Sequence, residues 1–172
     1  WPWTAFLQAM LARLAYQAGE KSDDYSLALK SIQSALQQLP DEPRWQSLAG
    51  EIYLDERDLS GHPDPGAALP YLQAAIRLEP GNPRHASLLG KVSGLLGDHP
   101  AAVAAYQEAC RLNPNDWGTW LDLARAQQAA GSLDAASQML GRAYSVAGTV
   151  IRGDELGRKL GFPTANVTVD GL

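Results

Sequence analysis

A pattern of 34 residues recurs through most of this chain, and few folds are compatible with it. It is clearest between Pro83 and Pro114, where two amphipathic stretches flank a tight turn. The first carries apolar or small residues at Ala86, Leu89, Gly90 and Leu96 and stops at Gly97-Asp98. The second carries Ala102, Val103, Tyr106 and Ala109 and stops at Asn113-Pro114. This spacing is the 3.6-residue period of a half-buried helix, and glycine and proline stand where helices end.

Moved forward by 34 residues, Ala86, Leu89, Gly90 and Gly97 become Trp120, Leu123, Ala124 and Gly131. Ala102, Tyr106 and Ala109 become Ala136, Leu140 and Ala143. Moved back by 34, the second helix returns as Ala68, Leu72, Ala75 and Pro80, and a further 40 back as Ala28, Ile32, Ala35 and Pro40. A fixed period of this size marks a solenoid. Small residues at the crossings, a large apolar neighbour and proline after the second helix resemble the tetratricopeptide repeat (TPR) over residues 5–144. The resemblance implies an all-α fold, a right-handed α-solenoid of about four helical hairpins. The expected boundaries are a repeat domain at 1–144 and a short non-repeat tail of strand and loop at 145–172.

Along the chain, helices are expected at 4–18, 25–39, 43–55, 67–79 and 133–144 besides those already described. Phe6, Leu7, Met10, Leu11 and Leu14 form the apolar side of the first, and Trp45, Leu48, Ala49 and Ile52 that of the third. Trp1 and Trp3 are expected to fold back on the open end of the array, or to have packed on a preceding domain. The absence of an initial methionine reads as a fragment and leaves the compartment, bacterial cytoplasm or periplasm, open.

A net charge of −5 and a pI near 5.1 exclude the basic stripe of a general nucleic-acid binder. A single cysteine, Cys110, rules out an internal disulfide framework and reads as a partly buried, inert thiol. No apolar run approaches the ~20 residues of a membrane span. The acidic loop around Asp55, Asp58, His62 and Asp64 lacks the calcium-loop pattern and reads as solvated. His62, His85 and His99 lack a nucleophile or carboxylate at useful spacing and read as surface histidines, so the array shows no catalytic set.

Solenoids of this kind present a concave surface built from the first helix of each hairpin. Helical phase assigns to it Arg13 and Tyr16; Gln46, Gly50 and Tyr53; Arg84, Ser87 and Lys91; and Leu121, Arg125 and Gln128. Arg13, Arg84, Lys91 and Arg125 make a positively lined groove suited to an acidic segment or a C-terminal carboxylate, with Tyr16, Tyr53 and Leu121 as apolar anchors. The expected function is therefore a non-enzymatic scaffold that binds a protein or peptide partner. Self-association through the ends of the solenoid is a further option.

From Ser145 the period is lost: SVAGTVIRGDELGRKLGFPTANVTVDGL is rich in glycine and β-branched residues. Val146, Thr149, Val150 and Ile151 read as one strand and Val167, Thr168 and Val169 as another. Leu140-Gly141-Arg142, Tyr144-Ser145, Gly148-Thr149-Val150, Gly153 and above all Gly157-Arg158-Lys159-Leu160-Gly161-Phe162-Pro163-Thr164-Ala165-Asn166 resemble the opening of the bacterial riboflavin kinase domain of bifunctional FAD synthetases. Ala143 departs from that pattern, where proline is usual. The resemblance implies ATP and magnesium near Thr164 and Asn166, with Gly161 close by, and riboflavin or FMN as the other ligand. The alternative function is therefore a fragment or fusion of a riboflavin kinase, expected to be inactive as this chain because the resemblance stops short of a complete barrel. The helix at 133–144 satisfies both patterns, with a join near Ala130.

Overall fold

The structure, a computed structural model, describes residues 2–17, 23–55 and 63–147. Among these residues it is all helix: α1 (Pro2–Gln17), α2 (Asp23–Gln38), α3 (Pro43–Tyr53), α4 (Pro65–Leu78), α5 (Pro83–Leu95), α6 (His99–Leu112), α7 (Trp117–Ala129) and α8 (Leu133–Ala147). Consecutive helices pair as α1/α2, α3/α4, α5/α6 and α7/α8, and each pair packs on the next. This is the four-hairpin α-solenoid that the 34-residue register predicts.

Local chemistry sets the joints. Asp64, Asn82, Asp98 and Asp116 cap α4 to α7 by accepting from the first free backbone N–H groups, with Asp64 Oδ1 2.8 Å from Ala67 N. Such a cap is worth about 1 kcal/mol. Pro43, Pro65 and Pro83 occupy first-turn positions where no intrahelical N–H is lost. Inside the last two hairpins the chain reverses through Gly97 and Gly131 at φ +79° and +80°, a conformation that disfavours any side chain.

Between the two helices of a hairpin, one small residue faces one large residue. A Cβ on Gly50 would lie 2.7 Å from the Leu72 side chain, and a Cβ on Gly90 would lie 2.8 Å from the Tyr106 ring. Ala124 and Leu140 share a third cluster, and Ala12 and Ile32 a fourth. The crossings expected at Gly90 and Ala124 are thus present, and the other two hairpins repeat them.

Several expectations are corrected. Leu7, Met10, Leu11 and Leu14 do not pack into the array; on α1 it is Ala9 and Ala12 that are buried, with Phe6 half-buried. The period marks the apolar side of a helix but not whether a neighbour covers it. Leu96 is exposed, and Val92 fills the core in its place. Val146 lies in α8, which runs on to Ala147, so the expected strand does not begin there. The remaining strand residues, Trp1, and the loop residues Asp58 and His62 lie outside the described residues. Trp3 does not fold back on the open end: it lies in the first turn of α1, and its ring meets that of Phe6 and, in the next hairpin, that of Trp45, edge-on at 5.9 and 5.6 Å.

Candidate functional site

The first helices α1, α3 and α5 touch in sequence, α1 on α3 and α3 on α5. The residue after each crossing position is Arg13, Glu51, Lys91 and Arg125 in the four hairpins. These four equivalent positions recur once per hairpin along the first helices.

Glu51 is the centre of that row. It is 5% exposed and reaches both neighbouring hairpins. Arg13 Nη1 donates to Glu51 Oε2 at 2.5 Å, and Arg13 Nε donates to Asp55 Oδ2 at 2.8 Å. Arg84 Nε donates to Glu51 Oε1 at 2.7 Å from the other side. One carboxylate thus ties α1 to α3 and α3 to α5. Both of its oxygens are satisfied, as a buried charge requires. Farther along, Arg125 Nη1 lies 3.4 Å from Asp122 Oδ1. Burial pushes the Asp122 carboxyl up, and the nearby Arg125 and Lys91 cations oppose that shift.

The expected groove residues divide accordingly. Arg13, Arg84, Lys91 and Arg125 lie on the first helices, but Arg13 and Arg84 are held by Glu51 and Asp55. The first half of the row is therefore neutral rather than basic. Lys91 and Arg125 are exposed in the second half. Tyr53 stacks on Tyr71 at 5.7 Å and stays half-buried, while burial raises the Tyr71 hydroxyl pKa. Ser87 and Gln128 are half-buried, and the side chain of Tyr16 lies outside the described residues.

Three expectations fail on geometry. Gln46 turns away and donates to the Pro40 carbonyl at 2.7 Å, as Trp120 does to the Pro114 carbonyl at 2.9 Å two hairpins later. Gly50 is sealed under Leu72. Leu121 is buried with Ala124, Ala136, Leu140 and Ala143, so it cannot anchor a ligand. The register that equates Gly50 with Gly90 would have placed Glu51 beside Lys91 and Arg125 in sequence alone.

His85 is a further correction to the surface-histidine reading. It is 2% exposed and lies with Nε2 3.1 Å from Glu79 Oε2 across the α4–α5 turn. The Asn82 amide, then His85, hold the Glu79 carboxyl below its usual range. Cys110 is buried, and its thiol is pushed up to about 12 by burial and then by Asp116 and Asp122. Among the described residues no cluster of His, Cys, Asp and Glu could hold a metal ion, and no helix is long and apolar enough to cross a membrane. Gly161, Thr164 and Asn166 lie outside the described residues.

Comparison with known proteins matches this geometry. Two tetratricopeptide repeat models match residues 57–116 and 95–144, and a riboflavin kinase model matches residues 140–172. Among solved structures, a thermophilic TPR protein of Thermus thermophilus superposes with a TM-score of 0.71 at 22% identity, covering 89% of this chain and 79% of that one. MamA superposes with 0.69 at 21% identity, covering 84% and 79%. YrrB, described as a TPR protein with an unusual peptide-binding site, superposes with 0.67 at 18% identity, covering 80% and 66%. These identities show a shared fold. The bifunctional riboflavin kinase/FMN adenylyltransferase of Listeria monocytogenes is 55% identical over 40 residues, 23% of this chain and 13% of that protein. The Bacillus subtilis enzyme of the same name is 51% identical over 37 residues, 22% and 12%. The chain therefore spans about an eighth of the length of these curated relatives.

Proposed function

On the premise that the chain is a TPR array carrying a riboflavin-kinase-like segment at its C-terminal end, we propose that it is an interaction scaffold holding a peptide segment along its inner face. The observation that carries this reading is the row Arg13, Glu51, Lys91 and Arg125, one side chain per hairpin at a constant repeat position. Such a row suits an extended or helical segment better than a compact ligand. With Arg13 and Arg84 engaged by Glu51, the electrostatic attraction lies over α5 and α7. An acidic residue of the ligand belongs there, and the Tyr53–Tyr71 pair offers an apolar platform at the other end. Exposed ion pairs contribute at most about 1 kcal/mol each, so the affinity is modest and falls with salt.

The test is titration of an acidic peptide library against the wild type and the Lys91→Glu, Arg125→Glu variant. Selective loss in the variant supports the reading; equal binding by both overturns it.

The second reading rests on the match over residues 140–172. Kinase activity belongs to the whole proteins that it resembles. Here the match begins at Leu140 and includes Ala143, both buried against α7 as parts of the solenoid core. We expect no FMN from riboflavin, ATP and magnesium with this 172-residue chain. Turnover that disappears in Asn166→Ala would establish the kinase reading instead.

A further inference from the structure

One position of the repeat register changes sign along the solenoid. The residue after each crossing is Arg13, Lys91 and Arg125 in the first, third and fourth hairpins, but Glu51 in the second. Glu51 is also the most enclosed of the four. Lys91 and Arg125 are exposed, the Arg13 side chain is 19% exposed and that of Glu51 only 5%. Taking a carboxylate out of water costs free energy that its ion pairs do little more than offset. Stability alone therefore does not account for an acid at this position.

Its two partners are held differently. Arg13 is fully engaged, with Nη1 on Glu51 and both Nε and Nη2 on Asp55. Arg84 brings Nε and Nη2 to one oxygen, Glu51 Oε1, at 2.7 and 2.5 Å, while its side chain stays 67% exposed. The Arg84 guanidinium thus lies at the surface with its charge already answered. Glu51 and Asp55 face two guanidinium groups, so this part of the first-helix face is neutral. Tyr53 and Leu88 pack half-buried on the cluster of Leu54, Leu72 and Val92, so it is apolar as well. Farther along, Asp122 is one carboxylate against two cations, Lys91 and Arg125, which leaves positive charge in excess. A ligand carboxylate is attracted to that second region. In the first, Glu51 already occupies the place it would take.

We propose that Glu51 is the specificity-determining residue of the first-helix face: its carboxylate stands in for a second acidic group of the ligand. The face then selects segments that are acidic at one end and uncharged at the other, and gives no advantage to segments acidic at both. The inference rests on the peptide-scaffold reading and adds the class of segment preferred. It follows the general rule that a charge already built into a site discriminates against like charge in the ligand.

The experiment compares two synthetic peptides of about 12 residues, long enough when extended to pass four hairpins spaced ~10 Å apart. One carries a pair of glutamates at one end, the other a pair at both ends, and the remaining residues are uncharged and identical. The direction of binding does not matter, because either orientation of the second peptide brings a pair beside Glu51. Calorimetric titration of the full chain should give affinities for the two peptides within about twofold of each other. In Glu51→Gln the doubly acidic peptide should bind roughly fivefold tighter than the singly acidic one, and the difference should vanish in about 0.5 M salt. Adding Arg84→Gln to that variant should abolish the difference, and Glu51→Asp, which keeps the charge, should retain the wild-type ratio. A joint merely loosened by Glu51→Gln would weaken both peptides alike and leave the ratio unmoved. A ratio unchanged by Glu51→Gln, a doubly acidic peptide already favoured by the wild type, or a Glu51→Asp variant that behaves like Glu51→Gln overturns this inference alone. Failure of both peptides to bind the wild type and every variant overturns the scaffold reading and the inference with it.

Discussion

The second and third hairpins share a packing scheme and differ in what they show to solvent. Gly50 meets Leu72 as Gly90 meets Tyr106, so the helix crossing is the same in kind. One residue further on, the second hairpin has Glu51, buried between two arginines from neighbouring units, and the third has Lys91, exposed. The core positions are constrained by contact inside one hairpin. The inner-face positions answer only to whatever stands opposite in the next hairpin, or to a ligand. A solenoid can therefore keep its fold while its groove changes sign from one unit to the next.

The largest effects should come from the shared feature. Gly90→Ala would put a methyl group against a buried aromatic ring, and Gly50→Ala would put one against Leu72. Overpacking should outweigh the ~1 kcal/mol gain in helix propensity and destabilise by about 1–3 kcal/mol. The rigid ring makes Gly90→Ala the worse of the two, and thermal unfolding measures both. A stabilised Gly90→Ala would break the equivalence of the crossings.

Next come the divergent positions. Glu51→Gln leaves Arg13 and Arg84 without their shared carboxylate and should cost about 1–2 kcal/mol, less than a fully buried pair because Arg84 is largely exposed. Lys91→Gln should change stability by less than about 0.5 kcal/mol. Urea unfolding of both variants sharpens the contrast, and equal losses would contradict it.

How much of this was legible in the sequence follows from the same contrast. Crossings, caps and turns depend on residues a few positions apart or at a fixed shift, so Gly90, Ala124, Gly97 and Pro114 identify themselves. The Glu51 bridge joins residues 38 and 33 positions away in two other hairpins, and no local period records it. Leu121 reads as an exposed anchor on the helical wheel, yet it lies over the α7–α8 contact. The α1 leucines read as core for the opposite reason: their pattern is that of a covered face, and no described helix covers them.

A smaller effect separates the hairpins at Cys110, whose equivalent in the second is Ile76. Burial raises the thiol from 9.0 to about 12, so the unfolded chain ionises first and stability should decline as pH rises past about 9. Below that pH both states keep the proton and the term vanishes. Native Cys110 should react with iodoacetamide roughly tenfold or more slowly than in denaturant, and Cys110→Val should remove this part of the alkaline loss. Rapid native alkylation would show that the α6–α7 contact is open.

The most direct test of the scaffold reading is the backbone amide NMR footprint of the best acidic peptide from the library. The account predicts shifts concentrated on the first helices, at Tyr53, Ser87, Lys91, Arg125 and Gln128, that collapse in Lys91→Glu, Arg125→Glu. Shifts confined to the second helices or to residues 145–172 would contradict it.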